Sequence, residues 1–142
     1  MNNKSKNKTK AKKVDIKYLG IPNICFSLTD KDDKREKKFS KQRMKRGFDS
    51  SETWSLFSTI VKFILPRLKC YREHTGGYPA CLKSVKEWED ILDQMIEAFE
   101  LIYKDSQGIE CEPDTEKQDK INENKIEKGL DLFRGYFFAL WN

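Results

Sequence analysis

Three residues that could bind a metal ion or form a nucleophilic pair lie close together in the sequence: Cys70, His74 and Cys81. With Cys25 or Cys111 as a fourth ligand they could hold zinc, which prefers thiolate sulfur and imidazole nitrogen. The spacing matches no compact zinc motif, and the single histidine lies beside a Gly-Gly pair. Reduced, unligated thiols are therefore the favoured interpretation. We predict no metal and no cofactor.

Catalytic chemistry has equally weak support. A Cys-His nucleophile would need the Cys70 or Cys81 thiol within hydrogen-bond reach of His74, and nearness along one helix end is more often accidental. Acidic residues that could bind a cation cluster in one predicted helix, but a solvated acidic face is the simpler interpretation. They are Glu87, Glu89, Asp90, Asp93, Glu97 and Glu100. The Gly76-Gly77 pair lacks the lysine and the preceding strand of a phosphate-binding loop. We predict a protein without enzymatic activity.

The strongest chemical signal is an uneven distribution of charge. The chain of 142 residues has a formal net charge of +5, yet residues 1 to 48 carry sixteen Lys and Arg against five Asp and Glu, giving +11. The remaining residues carry −6. A cationic N-terminal part predicts an acidic partner, of which nucleic acid is the commonest. The residues predicted to contact nucleic acid or another acidic partner are Lys4, Lys6, Lys8, Lys10, Lys12, Lys13, Lys37, Lys41, Arg43, Lys45 and Arg46.

Residues 1 to 13, here called the basic arm, contain no large apolar side chain after Met1. Such a sequence cannot offset the entropy of ordering, so we expect the arm to be disordered in isolation. Deleting it should leave folding intact and make binding to mixed-sequence DNA or RNA weaker and less sensitive to salt. The alternative is that its lysines only keep the protein soluble. The sequence shows no export signal and no apolar stretch long enough to span a bilayer, so we predict an intracellular protein without membrane contact.

The elements that position these residues are predicted to be mainly helical. Residues 14 to 28 are apolar but broken by Gly20 and Pro22, which favours an extended segment. Residues 30 to 47 have acids at the front and bases at the back, which favours a short basic helix ended by Gly47.

The most apolar helix is predicted over residues 49 to 71. A capping box of Asp49 and Glu52 opens it, and Pro66 should kink it. We expect its wide apolar face to be buried. That face consists of Trp54, Phe57, Val61, Ile64, Leu68 and Tyr71, widened by Leu56, Ile60 and Phe63. The helix should end before a loop at residues 75 to 79.

Two further helices carry matching apolar stripes. Ser84 and Glu87 form the capping box of a helix that runs to about Lys104, and Thr115 and Gln118 start a long one. The last stripe is Ile126, Leu130, Phe133, Phe137 and Leu140. Three matching stripes predict an all-α fold, an antiparallel three-helix bundle with a disordered basic N-terminal arm and a short additional basic helix. The predicted domains are the tail at 1–13, the extended segment and basic helix at 14–48, and the bundle at 49–142.

Aromatic residues supply the other candidate sites. The three tryptophans lie on or near the apolar stripes and are predicted to be core. A platform on which bases could stack would instead need exposed rings beside basic residues, and the sequence offers that combination only near Phe39, Arg43, Arg46 and Phe48. At the C-terminus apolar residues occupy more than one helix face, which predicts an interface with a protein partner or a second copy of the chain. The residues predicted for this interface are Tyr136, Phe138 and Trp141.

Several short motifs follow one another over about residues 45 to 142. They are Arg46-Gly47-Phe48-Asp49-Ser50-Ser51-Glu52-Thr53-Trp54, Phe63-Ile64-Leu65-Pro66-Arg67-Leu68, Gly77-Tyr78-Pro79, Glu87-Trp88-Glu89-Asp90-Ile91-Leu92-Asp93, and Gly129-Leu130-Asp131-Leu132-Phe133 with Trp141. In this order they resemble a family of small, functionally uncharacterised helical proteins from tailed bacteriophages and prophages. The resemblance implies a viral origin and expression in a bacterial cytosol, and it implies no activity. Phe57 stands where members of that family tend to carry an aspartate.

Two functions follow as hypotheses. The first is a non-enzymatic phage accessory protein of the host bacterial cytoplasm, whose helical domain binds a phage or host protein while its basic arm contacts nucleic acid or another acidic partner. The second is a structural component of the virion, whose basic arm faces packaged genome or an acidic surface.

Overall fold

The computed structural model describes residues 26–29, 32–106 and 116–141, and this part of the chain contains helices and no strand. The elements are α1 (Glu36–Arg46), a 3-10 turn (Ser50–Thr53), α2 (Leu56–His74), α3 (Val85–Ser106), α4 (Glu116–Gly135) and a second 3-10 turn (Phe137–Ala139). The all-α prediction is confirmed. None of the described helices is long and apolar enough to cross a membrane. The basic arm, residues 14 to 25 and the predicted cap at Thr115 lie outside the described residues.

The chain divides into two compact units, the first ending at Trp54 and the second beginning at Ser55. In the first unit, α1 is the predicted basic helix. The Arg35 N–H donates to the Asp33 carboxylate over 2.7 Å just before the helix begins. Gly47 ends it as predicted: its φ of 83° is left-handed, and its N–H donates to the Arg43 carbonyl over 2.8 Å.

The capping box of Asp49 and Glu52 is present, but it opens a 3-10 turn and not the long helix predicted from residue 49. The Asp49 N–H donates to Glu52 over 2.7 Å, and the other oxygen of the same carboxylate accepts the Phe26 N–H over 3.1 Å. The Glu52 carboxylate of the capping box therefore also binds the segment at 26–29. Because α2 begins only at Leu56, Trp54 is not part of its stripe, and the prediction that Trp54 belongs to the core is wrong.

The core of the second unit is centred on α3, which packs against both α2 and α4. Trp88, Leu92 and Met95 of α3 are completely buried. Other buried core residues are Val61, Leu68, Ile91 and Phe99. The prediction that the whole apolar face of α2 is buried is wrong, because α3 covers only the side that carries Val61 and Leu68. The exposed residues of that face are Leu56, Phe57, Ile60 and Phe63.

The ends of the helices differ in detail from the prediction. α2 continues through Pro66 and ends at His74, before the predicted loop, and the kink stays a prediction. At the start of α3 the Ser84 hydroxyl accepts the Glu87 N–H over 3.2 Å, but the Glu87 carboxylate accepts the Lys83 N–H, so the predicted box is only half formed. α4 ends at Gly135, so the predicted stripe stops before Phe137 and Leu140.

At Gly129, α4 packs closely against α3. A Cβ atom at this position would overlap the Ala98 side chain and lie 2.7 Å from the Gln94 carbonyl oxygen. A Cβ atom at Gly135, at the end of the same helix, would meet nothing within 4 Å. Glycine at 129 therefore sets how tightly the two helices pack.

Gly129→Ala is expected to destabilise the protein by about 1 to 3 kcal/mol, because overpacking outweighs the better helix propensity of alanine. Gly135→Ala is the matched control and should leave stability unchanged or slightly raised. Thermal unfolding followed by circular dichroism measures both. A Gly129→Ala protein that melts at or above the parental temperature would contradict the described packing of α4 on α3.

Candidate nucleic-acid and protein interfaces

One face of α1 and the residues just before it carries five lysines, here called the lysine face. Four of them repeat at steps of four, three and four residues, which places them in line along one side of a helix. The five are Lys34, Lys37, Lys38, Lys41 and Lys45. All are exposed, and none forms an ion pair with any residue that the structure describes. Their charges are therefore available to an external anion.

The opposite side of α1 is anchored by Phe39 and Arg43, which are both buried. Arg43 Nη1 lies 2.5 Å from Asp49 Oδ2, and Nη2 is paired with the Glu36 carboxylate. Arg43 is therefore paired within the first unit, and its predicted contact with an external acidic partner stays a prediction. Asp49 is fully buried, and a buried carboxylate needs a cation beside it.

Hydrogen bonds extend this ion pair into a buried polar cluster. Burial raises the pKa of Asp49, but hydrogen bonds from Ser51, Ser27 and Arg43 outweigh it and hold the pKa below its ordinary value of 3.8. The Ser51 hydroxyl donates to Asp49 over 2.5 Å and accepts the Leu28 N–H over 2.9 Å. The cluster thus connects α1 to two other chain segments, one around Leu28 and one from Asp49 to Ser51. Because its side chains are buried, we interpret it as structural.

Two exposed aromatic rings lie beside arginines in the same unit. The guanidinium of Arg46 is 4.4 Å from the centre of the Phe48 ring, and that of Arg35 is 4.9 Å from the centre of the Trp54 ring. Phe48 is 43% exposed and Trp54 is 54% exposed. Of the four residues considered from sequence for an aromatic platform, Arg46 and Phe48 are on the surface, whereas Phe39 and Arg43 are buried.

Sequence reasoning missed Lys34, Lys38 and the pair of Arg35 and Trp54. The lysine spacing was visible in the sequence and could have revealed the first two. The exposure of Trp54 was missed because this residue fits the apolar period of α2, and a helical period alone does not show where a helix begins. The six lysines predicted in the basic arm lie outside the described residues.

The second unit has an aromatic surface at its C-terminal end, formed by Tyr136, Phe138 and Trp141. Phe138 is 91% exposed and Trp141 is 74% exposed, while Tyr136 is half-buried with its ring centre 5.4 Å from that of Trp88. The Tyr71 hydroxyl donates to the Trp141 carbonyl over 3.1 Å and so ties the C-terminal turn to α2. These elements and the loop at 76–81 line an open cavity of about 760 Å³.

Cys70 and His74, which the sequence offered as a nucleophilic pair, are not arranged as one. His74 Nδ1 lies 2.8 Å from the Cys70 carbonyl oxygen, which can only accept, so this nitrogen carries the proton and donates to the backbone. Nδ1 therefore cannot accept the proton of the Cys70 thiol, whose sulfur is 3.7 Å away. Within the described ranges no group of three or more His, Cys, Asp or Glu side chains is placed to hold a metal ion. Cys25 and Cys111 are outside those ranges.

On the acidic face of α3, Asp90, Asp93 and Glu97 are exposed as predicted, but several of its carboxylates are paired with basic residues. Arg72 of α2 lies 3.1 Å from Glu89 and 2.9 Å from Asp93, and Lys125 of α4 lies 2.6 Å from Glu97. The basic residues of the two neighbouring helices therefore neutralise much of this face. Several charges of the second unit are thus paired internally, whereas none of the five lysines of the lysine face is paired with a described residue.

Comparisons with protein-family models, with curated proteins and with solved structures found no match. The features available for assigning a function are therefore the lysine face with its neighbouring rings and the C-terminal aromatic surface.

Proposed function

We propose that this chain is a non-enzymatic phage accessory protein that joins nucleic acid to a phage or host protein in the bacterial cytoplasm. The first unit, with the basic arm, binds the phosphate backbone, and the second unit binds the protein partner. The observation that carries the proposal is the lysine face of α1, where five exposed ammonium groups have no acidic partner among the described residues.

The geometry of the lysine face suits a polyanion. Lys34 to Lys45 extend over about 16 Å at the rise of an α-helix, and duplex DNA carries one charge per roughly 1.7 Å of its axis. Several phosphates therefore fall within reach of the five lysines. Lysine makes point-charge contacts to phosphate that do not depend on base sequence, so binding should be non-specific and sensitive to salt. Arg46 at the end of α1 adds a further cation.

For the second unit we propose an antiparallel three-helix bundle. Two ion pairs between α2 and α3 support it, since Lys69 pairs with Glu100 while Arg72, further along α2, pairs with the earlier Glu89. Contacts of α3 with α4 and the residue that follows it support the same arrangement. The Trp88 ring packs at a tilt against Tyr136, just after the end of α4, whereas the later Glu97 pairs with the earlier Lys125.

The protein partner is proposed to bind at the C-terminal aromatic surface. Phe138 and Trp141 expose large apolar side chains next to an open cavity, and exposed aromatic residues of this kind are enriched at protein interfaces. A second copy of the chain is the other candidate occupant. Phe138→Ser with Trp141→Ser should abolish capture of a phage or host protein without lowering the melting temperature.

Replacing Lys37, Lys41 and Lys45 with Gln should weaken binding to mixed-sequence nucleic acid by on the order of tenfold at low salt, because each lost cation removes a phosphate contact. Fluorescence anisotropy with a labelled oligonucleotide measures this. The matched control replaces Lys117, Lys120 and Lys128 of α4, which are also exposed, and changes net charge equally. Equal effects of the two triple variants would contradict a localised site and favour a general charge effect.

A virion component remains the second candidate function, and it would use the same lysine face against packaged genome. Mass spectrometry of purified particles separates the two. An accessory protein should be absent from the particles, and a fixed copy number would instead establish the structural role.

A further inference from the structure

We propose that the first unit binds single-stranded nucleic acid in preference to duplex, with bases stacked on Trp54 and Phe48 and phosphates along the lysine face. This inference rests on the proposed function and adds the class of nucleic acid. It is carried by the two exposed rings, each backed by an arginine, which lie in the same compact unit as the lysines.

The Trp54 ring is held in place although more than half of it is exposed. The Phe39 ring packs against it in a T-shaped arrangement, with ring centres 5.9 Å apart and planes at 74°, and the Arg35 guanidinium lies over it. Arg35 is itself fixed by two bonds to the Asp33 carboxylate, of 3.0 and 2.8 Å. A ring that is already positioned loses little conformational entropy when a base stacks on it.

Phe48 is held in a similar way. Arg46 lies over its ring, while Arg46 Nε donates to the Phe48 carbonyl over 3.1 Å and Nη2 donates to the Ser50 hydroxyl over 3.1 Å. Both rings therefore present an aromatic surface next to a fixed positive charge. Rings beside cations are the combination by which single-strand binding proteins hold successive bases without reading their sequence.

The two arginines also place the rings relative to the lysines. Arg35 and Arg46 are eleven residues apart, which is close to three helical turns, so they lie on one flank of α1 about 16 Å apart along its axis. The lysine face adjoins that flank. A strand following the lysines could therefore turn unpaired bases towards both rings. In a duplex the bases are paired and stacked inside, so a duplex could use the lysines but not the rings.

The full-length protein is titrated against labelled single-stranded DNA and RNA of one mixed sequence and against the matching DNA duplex. We expect each single strand to bind at least about tenfold more tightly than the duplex. Trp54→Leu should weaken single-strand binding by on the order of tenfold and leave duplex binding unchanged, while Trp54→Phe should retain most of the affinity. Quenching of tryptophan fluorescence by the single strand should disappear in Trp54→Leu.

Phe63→Leu is the matched control, because this ring is also exposed and also has an arginine over it, that of Arg67, but lies in the other unit; it should change neither affinity. Phe48→Leu is a second test of the site in case Trp54→Leu alters the fold. Equal binding of single strand and duplex, unaffected by either ring, would overturn this inference while leaving the proposed function intact. No binding to any nucleic acid by the intact protein would overturn both.

Discussion

Phe99→Ala is expected to lower the free energy of unfolding by about 3 to 5 kcal/mol, a large share of the stability of a small domain. Phe99 is only 4% exposed, and its ring contacts that of Phe133 edge-on with centres 5.1 Å apart. Truncation would remove this contact and leave a cavity between α3 and α4. Chemical denaturation followed by circular dichroism measures the loss.

Phe138→Ala is the matched control, since it deletes the same atoms from a side chain that is almost fully exposed. It should unfold at the parental denaturant concentration. If Phe99→Ala also unfolded at the parental denaturant concentration, the placement of Phe99 in the core of the second unit would be refuted.

Arg43→Ala is expected to unfold the first unit or to destabilise it by about 3 to 5 kcal/mol, because it leaves the buried carboxylate of Asp49 without its cation. The loss should be visible as increased hydrogen exchange of the α1 amides. Arg35→Ala is the control: it breaks an ion pair with Asp33 that lies on the surface, where such pairs contribute little. A protected α1 in Arg43→Ala would contradict the structural role of the cluster.

The same cluster predicts how the first unit responds to acid. The pKa of Asp49 is lower in the folded protein than its ordinary value of 3.8, so the folded state favours the charged form. The resulting stability is fully present above the unfolded pKa and is lost as the pH falls below it towards the folded pKa. The protection factors of the α1 amides, which are corrected for the pH dependence of intrinsic exchange, should therefore fall below about pH 4 in the parent, and this fall should be smaller in Asp49→Asn, which cannot titrate.

The sequence predicted well those features that depend on local chemistry. Gly47 ends α1 because only a residue without a Cβ accepts its φ readily, and the capping box of Asp49 and Glu52 follows from three-residue spacing. The burial of the apolar stripe of α3 was also predicted correctly, because α2 and α4 together cover the apolar side of this helix. Such features need no knowledge of distant contacts.

The features that were missed depend on which face of a helix meets a partner. Leu56 and Phe63 fit the apolar stripe of α2 but are exposed, because α3 covers only one side of that helix. Arg43 has the same local surroundings as Lys41 and Lys45, yet it is buried because Asp49 comes to lie beside it. Burial of a charge cannot be deduced from spacing along one helix.

The salt dependence of binding by the intact protein is the most direct test of whether the lysine face binds phosphates. The logarithm of the binding constant for mixed-sequence nucleic acid should fall linearly with the logarithm of the salt concentration. Replacing Lys37, Lys41 and Lys45 with Gln should make that slope shallower by about 2 to 3, one released counterion for roughly each lysine removed. An unchanged slope in the triple variant, or no binding by the parent even at low salt, would contradict the claim.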